Sequence, residues 1–213
     1  MRPQHQGAPL VALAGNISVG KSTLAEILAS RWNWLLFKEP EVSNPYLPDF
    51  YKEPQRWSIH SQMFFLLERY KGHLSLQEKN VPAVMDRTIY EDAEVFAYLL
   101  LDSRDWKTYR HFYNLALRRL QPPRLVVYLR ASPETLMHRL QIRGRSYEKS
   151  VSLDYLSMLN RRYDEWASSF RRAPLLKVDT DGLDFVRSFN DLEKIVSLIE
   201  EALYAQESAV LFP

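Results

Sequence analysis

The plainest chemistry in this chain lies in nine consecutive residues, Gly15-Asn16-Ile17-Ser18-Val19-Gly20-Lys21-Ser22-Thr23. They fill the pattern G-x-x-x-x-G-K-[ST], whose glycines let the backbone curl until successive N–H groups point at phosphate oxygens. Lys21 then reaches the β and γ phosphates, and the Ser22 hydroxyl can join a Mg²⁺ shell. A helix beginning at Lys21 adds the positive end of its dipole. The pattern implies a bound nucleoside triphosphate without saying what becomes of it. The guanine signature N-K-x-D does not occur, and 213 residues are too few for a motor or transporter ATPase with accessory domains. A small kinase is favoured, and the next question is what accepts the phosphate.

Four further groups have chemical potential. Asp86 and Arg87 follow an apolar run, where an Asp can hold Mg²⁺ through water and an Arg can bind a transferring phosphoryl group. Arg139 and Arg143 stand four apart, on one helix face, with Arg145 two further on beside Gly144. Such a trio can form a positive lid that closes on a triphosphate and spreads transition-state charge. Gln62, Leu66 and Arg69 share another helix face, and the Gln62 amide can both donate to and accept from a base edge. Asp92 and Phe96, again four apart, turn an acid and a ring the same way.

These groups need a scaffold, and the apolar pattern supplies one. Short apolar runs at 10–14, 34–37, 81–85, 125–129 and 175–178 read as strands. Helical spacing covers 21–31, 55–76, 90–101, 106–120, 133–142, 153–170 and 184–205, with Ser132 as an N-cap and Pro133 at N1 of the fifth. The proline-bearing stretch 41–54 reads as an irregular loop, and 206–213 as a frayed tail. Five such strands alternating with helices predict an α/β fold, a parallel five-stranded sheet covered on both faces. Its ligands would sit beyond the carboxyl ends of the strands. Residues 1–213 read as a single domain with a lid at about 139–150.

Composition narrows the class. There is no cysteine, which removes thiol chemistry, thiolate metal sites and disulfide scaffolds together. A formal charge of +2 offers no support for nucleic-acid binding. No apolar run is long enough to span a bilayer, and residues 1–9 lack the apolar stretch of a signal peptide. A cytoplasmic protein acting on small molecules is the expectation.

Taken in order, the phosphate loop, Glu39-Pro40, Tyr51 before Arg56-Trp57, Gln62 with Arg69, Asp86-Arg87 with Asp92, and the stretch 139–148 around Arg143-Gly144-Arg145 resemble the deoxynucleoside kinases. The resemblance covers about 10–170, and the stretch 44–51 looks most like the bacterial deoxyadenosine and deoxyguanosine kinases. It implies a P-loop NTPase-type fold and ATP with Mg²⁺ as donor. Glu39 would be the general base for the sugar 5′-hydroxyl, with Arg87 and Lys21 beside the transferring group. Arg139, Arg143 and Arg145 would hold the triphosphate, and Ser22 and Asp86 the metal. Tyr51 and Glu148 would hold the sugar 3′-hydroxyl, Phe96 would lie against the base, and Arg69 with Asp92 would meet its exocyclic edge. Three positions depart from the pattern: Val19 is bulkier than usual, Asp86 replaces the Glu of animal enzymes, and Ser61 stands where animal relatives often have Phe.

The implied reaction is phosphorylation of deoxyadenosine or deoxyguanosine at the 5′-hydroxyl. The alternatives are a deoxycytidine-preferring kinase and, on the same fold, a nucleoside monophosphate kinase of the thymidylate kinase type. A non-catalytic nucleotide-binding subunit is a third reading, disfavoured by the intact Lys21, Glu39 and Arg87. The family is commonly dimeric, and the apolar helices at 90–101 and 106–120 could supply a homodimer interface.

Overall fold

The computed structural model describes residues 7–38, 43–145, 148 and 150–208. The five apolar runs become β1 (Leu10–Gly15), β2 (Leu35–Phe37), β3 (Ala83–Asp86), β4 (Leu125–Arg130) and β5 (Leu175–Asp179). They form one sheet in the order β2-β3-β1-β4-β5, and every pairing is parallel. β1, β3 and β4 are buried almost throughout, which explains their near-continuous apolar sequences. After β1 the chain builds the β2–β3 side and then returns past β1 to β4 and β5. The strand order therefore reverses at β1, where open α/β sheets bind ligands.

Helices α1 (Lys21–Trp32), α7 (Pro133–Arg143) and α9 (Phe189–Ser208) contribute to one apolar layer, where Leu24, Leu28, Leu136, Leu140, Ile195 and Ile199 meet Val11, Leu13 and Val127. The second layer contains α3 (Pro54–Lys79), α6 (Ser103–Leu117) and α8 (Leu153–Ser169), whose Leu66, Tyr109, Tyr113, Tyr163 and Trp166 pack with Val126 and Tyr128. The helix stop and start signals act as their chemistry requires. Ser132 caps α7 by accepting from Thr135 N–H, Pro133 begins it, and Gly144 ends it in the left-handed region.

Three expectations change. The stretch 41–54 contains a short helix, α2 (Leu47–Lys52), because Leu47 and Phe50 bury against Phe65 of α3. Residues 39–42 lie outside the described residues. The helix expected at 90–101 is divided into α4 (Ile89–Glu91), a π-helical segment (Asp92–Ala97) and α5 (Tyr98–Leu100). It is largely core: Tyr90, Ala93, Val95 and Ala97 are buried, so little of it is free to form an interface. Finally, α9 continues to Ser208, past the expected start of the tail.

Candidate active site

The phosphate loop begins where β1 ends and finishes at the first turn of α1. Gly15 has φ of 141°, and a Cβ there would lie 2.4 Å from the Leu129 carbonyl oxygen of β4. Gly20 has φ of 106°, and its Cβ would meet the Phe185 ring at 2.6 Å. Both the left-handed conformation and the close approach demand glycine. Ser18 also takes a positive φ, 62°, and its buried hydroxyl oxygen has no hydrogen-bond partner among the described residues. The Lys21 ammonium donates to the carbonyls of Gly15 (2.9 Å) and Asn16 (2.8 Å), so the cation is folded back along the loop it belongs to.

Not every loop residue faces the ligand side. Val19 is fully buried in the apolar layer, which accounts for its bulk. The Asn16 side chain donates to Leu156 O and Asn160 Oδ1, bracing the loop against α8. Ile17, Ser18, Gly20, Lys21, Ser22 and Thr23 line a cavity of about 290 Å³.

The same cavity collects most of the remaining candidates. Arg87, Arg139, Arg143, Arg145, Tyr51, Gln62, Arg69, Asp92, Phe96 and Glu148 all line it. Asp86 ends β3 beside β1, opposite Leu13, and is buried without lining the cavity. Leu66 faces the core, and Phe65 takes the place on the cavity wall that helical spacing had given to Leu66. Glu39 lies outside the described residues.

At the inner end, α3 presents Gln62, Phe65 and Arg69 to the cavity. Gln62 is buried, and its Oε1 accepts no hydrogen bond from the described residues. An orphaned acceptor in a cavity wall suits a ligand carrying N–H groups. Arg69, 2% exposed, lies over the Phe65 ring at 4.6 Å and is ion-paired to Asp92, which is 1% exposed. Burial raises the Asp92 carboxyl above the usual range, while Arg69, the Tyr109 hydroxyl and Arg87 oppose that rise.

In the middle, Arg87 holds a φ of 88°, an uncommon conformation for a long side chain and a form of backbone strain that clusters at functional sites. Its guanidinium lies 4.9 Å from the Phe96 ring centre and 3.6 Å from the fully buried Glu91. Thr88 caps the next turn by accepting from Tyr90 and Glu91 N–H, so Arg87 sits on a tight strand-to-helix turn.

At the outer end, the Arg143 Nε donates to Glu148 Oε2 at 3.1 Å, its Nη2 pairs with Oε1, and Arg145 lies 3.8 Å from Glu148. Arg139 is engaged differently. Its guanidinium donates to Val19 O, Thr180 O, Thr180 Oγ1 and Leu183 O, tying the phosphate loop to the segment after β5. Among the described residues, six basic and two acidic side chains line the cavity, a balance that favours a polyanion.

Sequence reasoning missed Leu47, Phe50, Phe65, Leu100 and Tyr155 as cavity walls. Each carries only an apolar or aromatic signal, which a core position would also produce. Burial pushes the Tyr155 phenol up to about 12, with nearby Arg87 acting against it. Ser61 is the informative departure. Its hydroxyl accepts from the Asn44 amide at 3.1 Å, and the Asn44 Oδ1 accepts from Tyr46 N–H, so a small polar residue pins the 44–51 stretch to α3. For a metal, the Ser22 hydroxyl and the Asp86 carboxylate are oxygen donors of the kind Mg²⁺ accepts alongside phosphate oxygens. Ser22 stands on the cavity wall, and the buried Asp86, one residue before the cavity-lining Arg87, is the second candidate donor for such an ion.

A parallel sheet in this order, with a phosphate loop after its central strand and a charged cavity beyond it, defines the P-loop NTPase class. Within that class the chain belongs to the deoxynucleoside kinase family, whose model matches residues 11–204. It is 34% identical over 202 residues to the deoxyadenosine/deoxycytidine kinase of Bacillus subtilis, covering 92% of this chain and 93% of that protein. The deoxyguanosine kinase of the same organism is 33% identical over 204 residues, covering 92% and 98% respectively. Among solved structures, deoxyadenosine kinase from M. mycoides with bound dCTP superposes with a TM-score of 0.76 at 31% identity, covering 90% of this chain and 99% of that one. The chain is thus a kinase that uses a nucleotide phosphate donor, and the monophosphate-kinase and non-catalytic readings gain no support. No helix among the described residues is long and apolar enough to cross a membrane.

Proposed function

We propose that this kinase transfers the γ-phosphoryl group of ATP to the 5′-hydroxyl of a purine deoxynucleoside, deoxyadenosine or deoxyguanosine, with deoxycytidine second and thymidine poorest. The observation that carries the reading is one cavity whose walls include the phosphate loop, Arg87, and the buried Gln62, Arg69 and Asp92. The phosphate loop and Lys21 receive the triphosphate, and Arg143 and Arg145 close over it. Ser22 and Asp86 would hold Mg²⁺, which would neutralise triphosphate charge.

Glu39 accepts the proton of the 5′-hydroxyl as that oxygen attacks, a role worth about 10²–10⁴-fold for a well-placed base. Arg87 stabilises the charge that develops on the transferring group. Tyr51 and Glu148 receive the sugar 3′-hydroxyl. The base lies against Phe96, with Gln62, Arg69 and Asp92 along its polar edge. A buried ion pair there disfavours a base that cannot complete its hydrogen bonds.

The enzyme works as one kinase domain, in the cytoplasm, and as a homodimer. The surface that suits the dimer is formed by α3 and α6, where the half-exposed Leu67, Phe112 and Leu115 surround an apolar groove. The deciding experiment is a steady-state panel of the four deoxynucleosides and their monophosphates with ATP and Mg²⁺. Purine deoxynucleosides should give the highest kcat/KM. Turnover of monophosphates alone, or preference for thymidine, would overturn the reading.

A further inference from the structure

The polar cluster at the inner end of the cavity has a member that does not touch the cavity. Tyr109 of α6 is fully buried, and its hydroxyl donates to Asp92 Oδ2 at 2.6 Å. Asp92 Oδ1 faces Arg69. The two carboxylate oxygens therefore have different partners on different helices, which fixes both the plane of the carboxylate and its remaining lone pairs. Trp106, one turn earlier on α6, stacks on the Tyr109 ring at 6.0 Å with an interplanar angle of 16°, so the phenol itself is held.

Asp92 needs such a brace. It opens the π-helical segment Asp92–Ala97, whose wider turn departs from ordinary α-helical side-chain directions, and π-turns recur at functional sites. α6 grips this segment twice. One turn beyond Tyr109, the Tyr113 hydroxyl donates to Glu94 Oε1 at 3.0 Å. The two tyrosines make the same kind of bond to the same segment, yet only Asp92 lines the cavity; Glu94 does not.

We propose that Tyr109 is a positioning residue that determines base selectivity, acting from outside the cavity by fixing the Asp92 carboxylate as a hydrogen-bond acceptor for the base. The proposal rests on the functional reading above, in which Asp92 meets the base edge. With the Tyr109 hydroxyl removed, Asp92 in its dry site keeps Arg69 as its ion-pair partner, with the charge of Arg87 further off. It then turns towards the guanidinium or takes up a proton, and either change withdraws the oriented acceptor. Deoxyadenosine, whose exocyclic amine can donate an N–H to Asp92, loses binding energy, whereas thymidine, which has a carbonyl at the corresponding position, loses little.

The test compares Tyr109→Phe with Tyr113→Phe in the full-length chain, measuring kcat and KM for all four deoxynucleosides together with the melting temperature. A hydrogen bond to a charged group corresponds to about tenfold or more in affinity. Tyr109→Phe is expected to raise KM for deoxyadenosine about tenfold while kcat stays within about twofold, and to lower the deoxyadenosine-to-thymidine ratio of kcat/KM by a similar factor. Tyr113→Phe removes a part-buried tyrosine–carboxylate bond to the same segment and reports structural loss; its selectivity should match wild type. A Tyr109→Phe enzyme with unchanged base ratios would overturn the proposal, as would an equal change of ratio in both variants. A wild-type enzyme that does not phosphorylate deoxynucleosides would instead overturn the functional reading itself, and that result is visible before any variant is made.

Discussion

The buried pair Arg69–Asp92 permits a prediction worked from the structure. Both side chains are nearly inaccessible, at 2% and 1% exposure, so neither charge has water to fall back on. Removing one partner of such a pair costs about 3–5 kcal/mol, because the other stays behind as an uncompensated buried charge. For a chain of this size each kcal/mol lowers the melting temperature by roughly 2–4 °C. Arg69→Met alone, or Asp92→Ala alone, is therefore expected to lose about 10 °C. The double variant strands no charge, and its loss should fall short of the sum of the singles by about 2 kcal/mol or more. Part of the cost remains, because the Tyr109 hydroxyl loses its acceptor, worth about 1–3 kcal/mol. Thermal unfolding of the four proteins without ligand completes the cycle, and the deoxynucleoside panel is run on each folded variant. The double variant should accept thymidine better relative to purines, since the 5-methyl group then has room. Losses that add within about 0.5 kcal/mol, with thymidine discrimination unchanged, would refute both the coupling and the assignment of this pair to the base edge.

Three other outcomes are expected. Burial pulls the His73 imidazole down to about 4, and its Nε2–H donates to Gln121 O at 2.9 Å, so the folded protein keeps this ring neutral. The unfolded chain takes up the proton near 6.5, so the stabilisation is complete above that pH and is lost as pH falls towards 4. About 3 kcal/mol is at stake at 1.36 kcal/mol per unit, and His73→Gln should flatten the stability–pH curve across that window, as measured by urea unfolding. Arg143→Ala should reduce kcat by about 10²-fold through loss of transition-state charge stabilisation. An effect confined to the acceptor KM would place Arg143 with the nucleoside instead. Glu39→Gln should lower kcat by about 10²-fold or more while ATP binding, followed by titration calorimetry, stays near wild type. Unimpaired turnover in that variant would remove Glu39 from the chemistry.

Local signals determined much of this protein. The phosphate loop is legible because its requirements are local: two glycines at fixed spacing, a lysine and a hydroxyl, all within nine residues. The five strands are legible because a parallel sheet buries both faces and leaves near-continuous apolar runs. The cap at Ser132 and the stop at Gly144 are legible because one residue type satisfies each terminus. What the tertiary structure alone decided is which side chains share a space. Helical spacing put Leu66 beside Gln62 and Arg69, whereas packing placed Phe65 on the cavity wall and Leu66 in the core. The π-turn at Asp92–Ala97 shifts that register again, and an average period of 3.6 cannot reveal it. Arg139 looked like its two neighbours in the sequence, yet its guanidinium is occupied by carbonyls of the phosphate loop and of the segment after β5, which lies about forty residues further along the chain. Tyr109 carries no signal at all, since a buried tyrosine is ordinary. Its meaning arises only because α6 folds back across the π-turn and brings its hydroxyl to one oxygen of a carboxylate seventeen residues earlier. A motif is local in the chain, whereas the partner that orients a buried charge is chosen by packing.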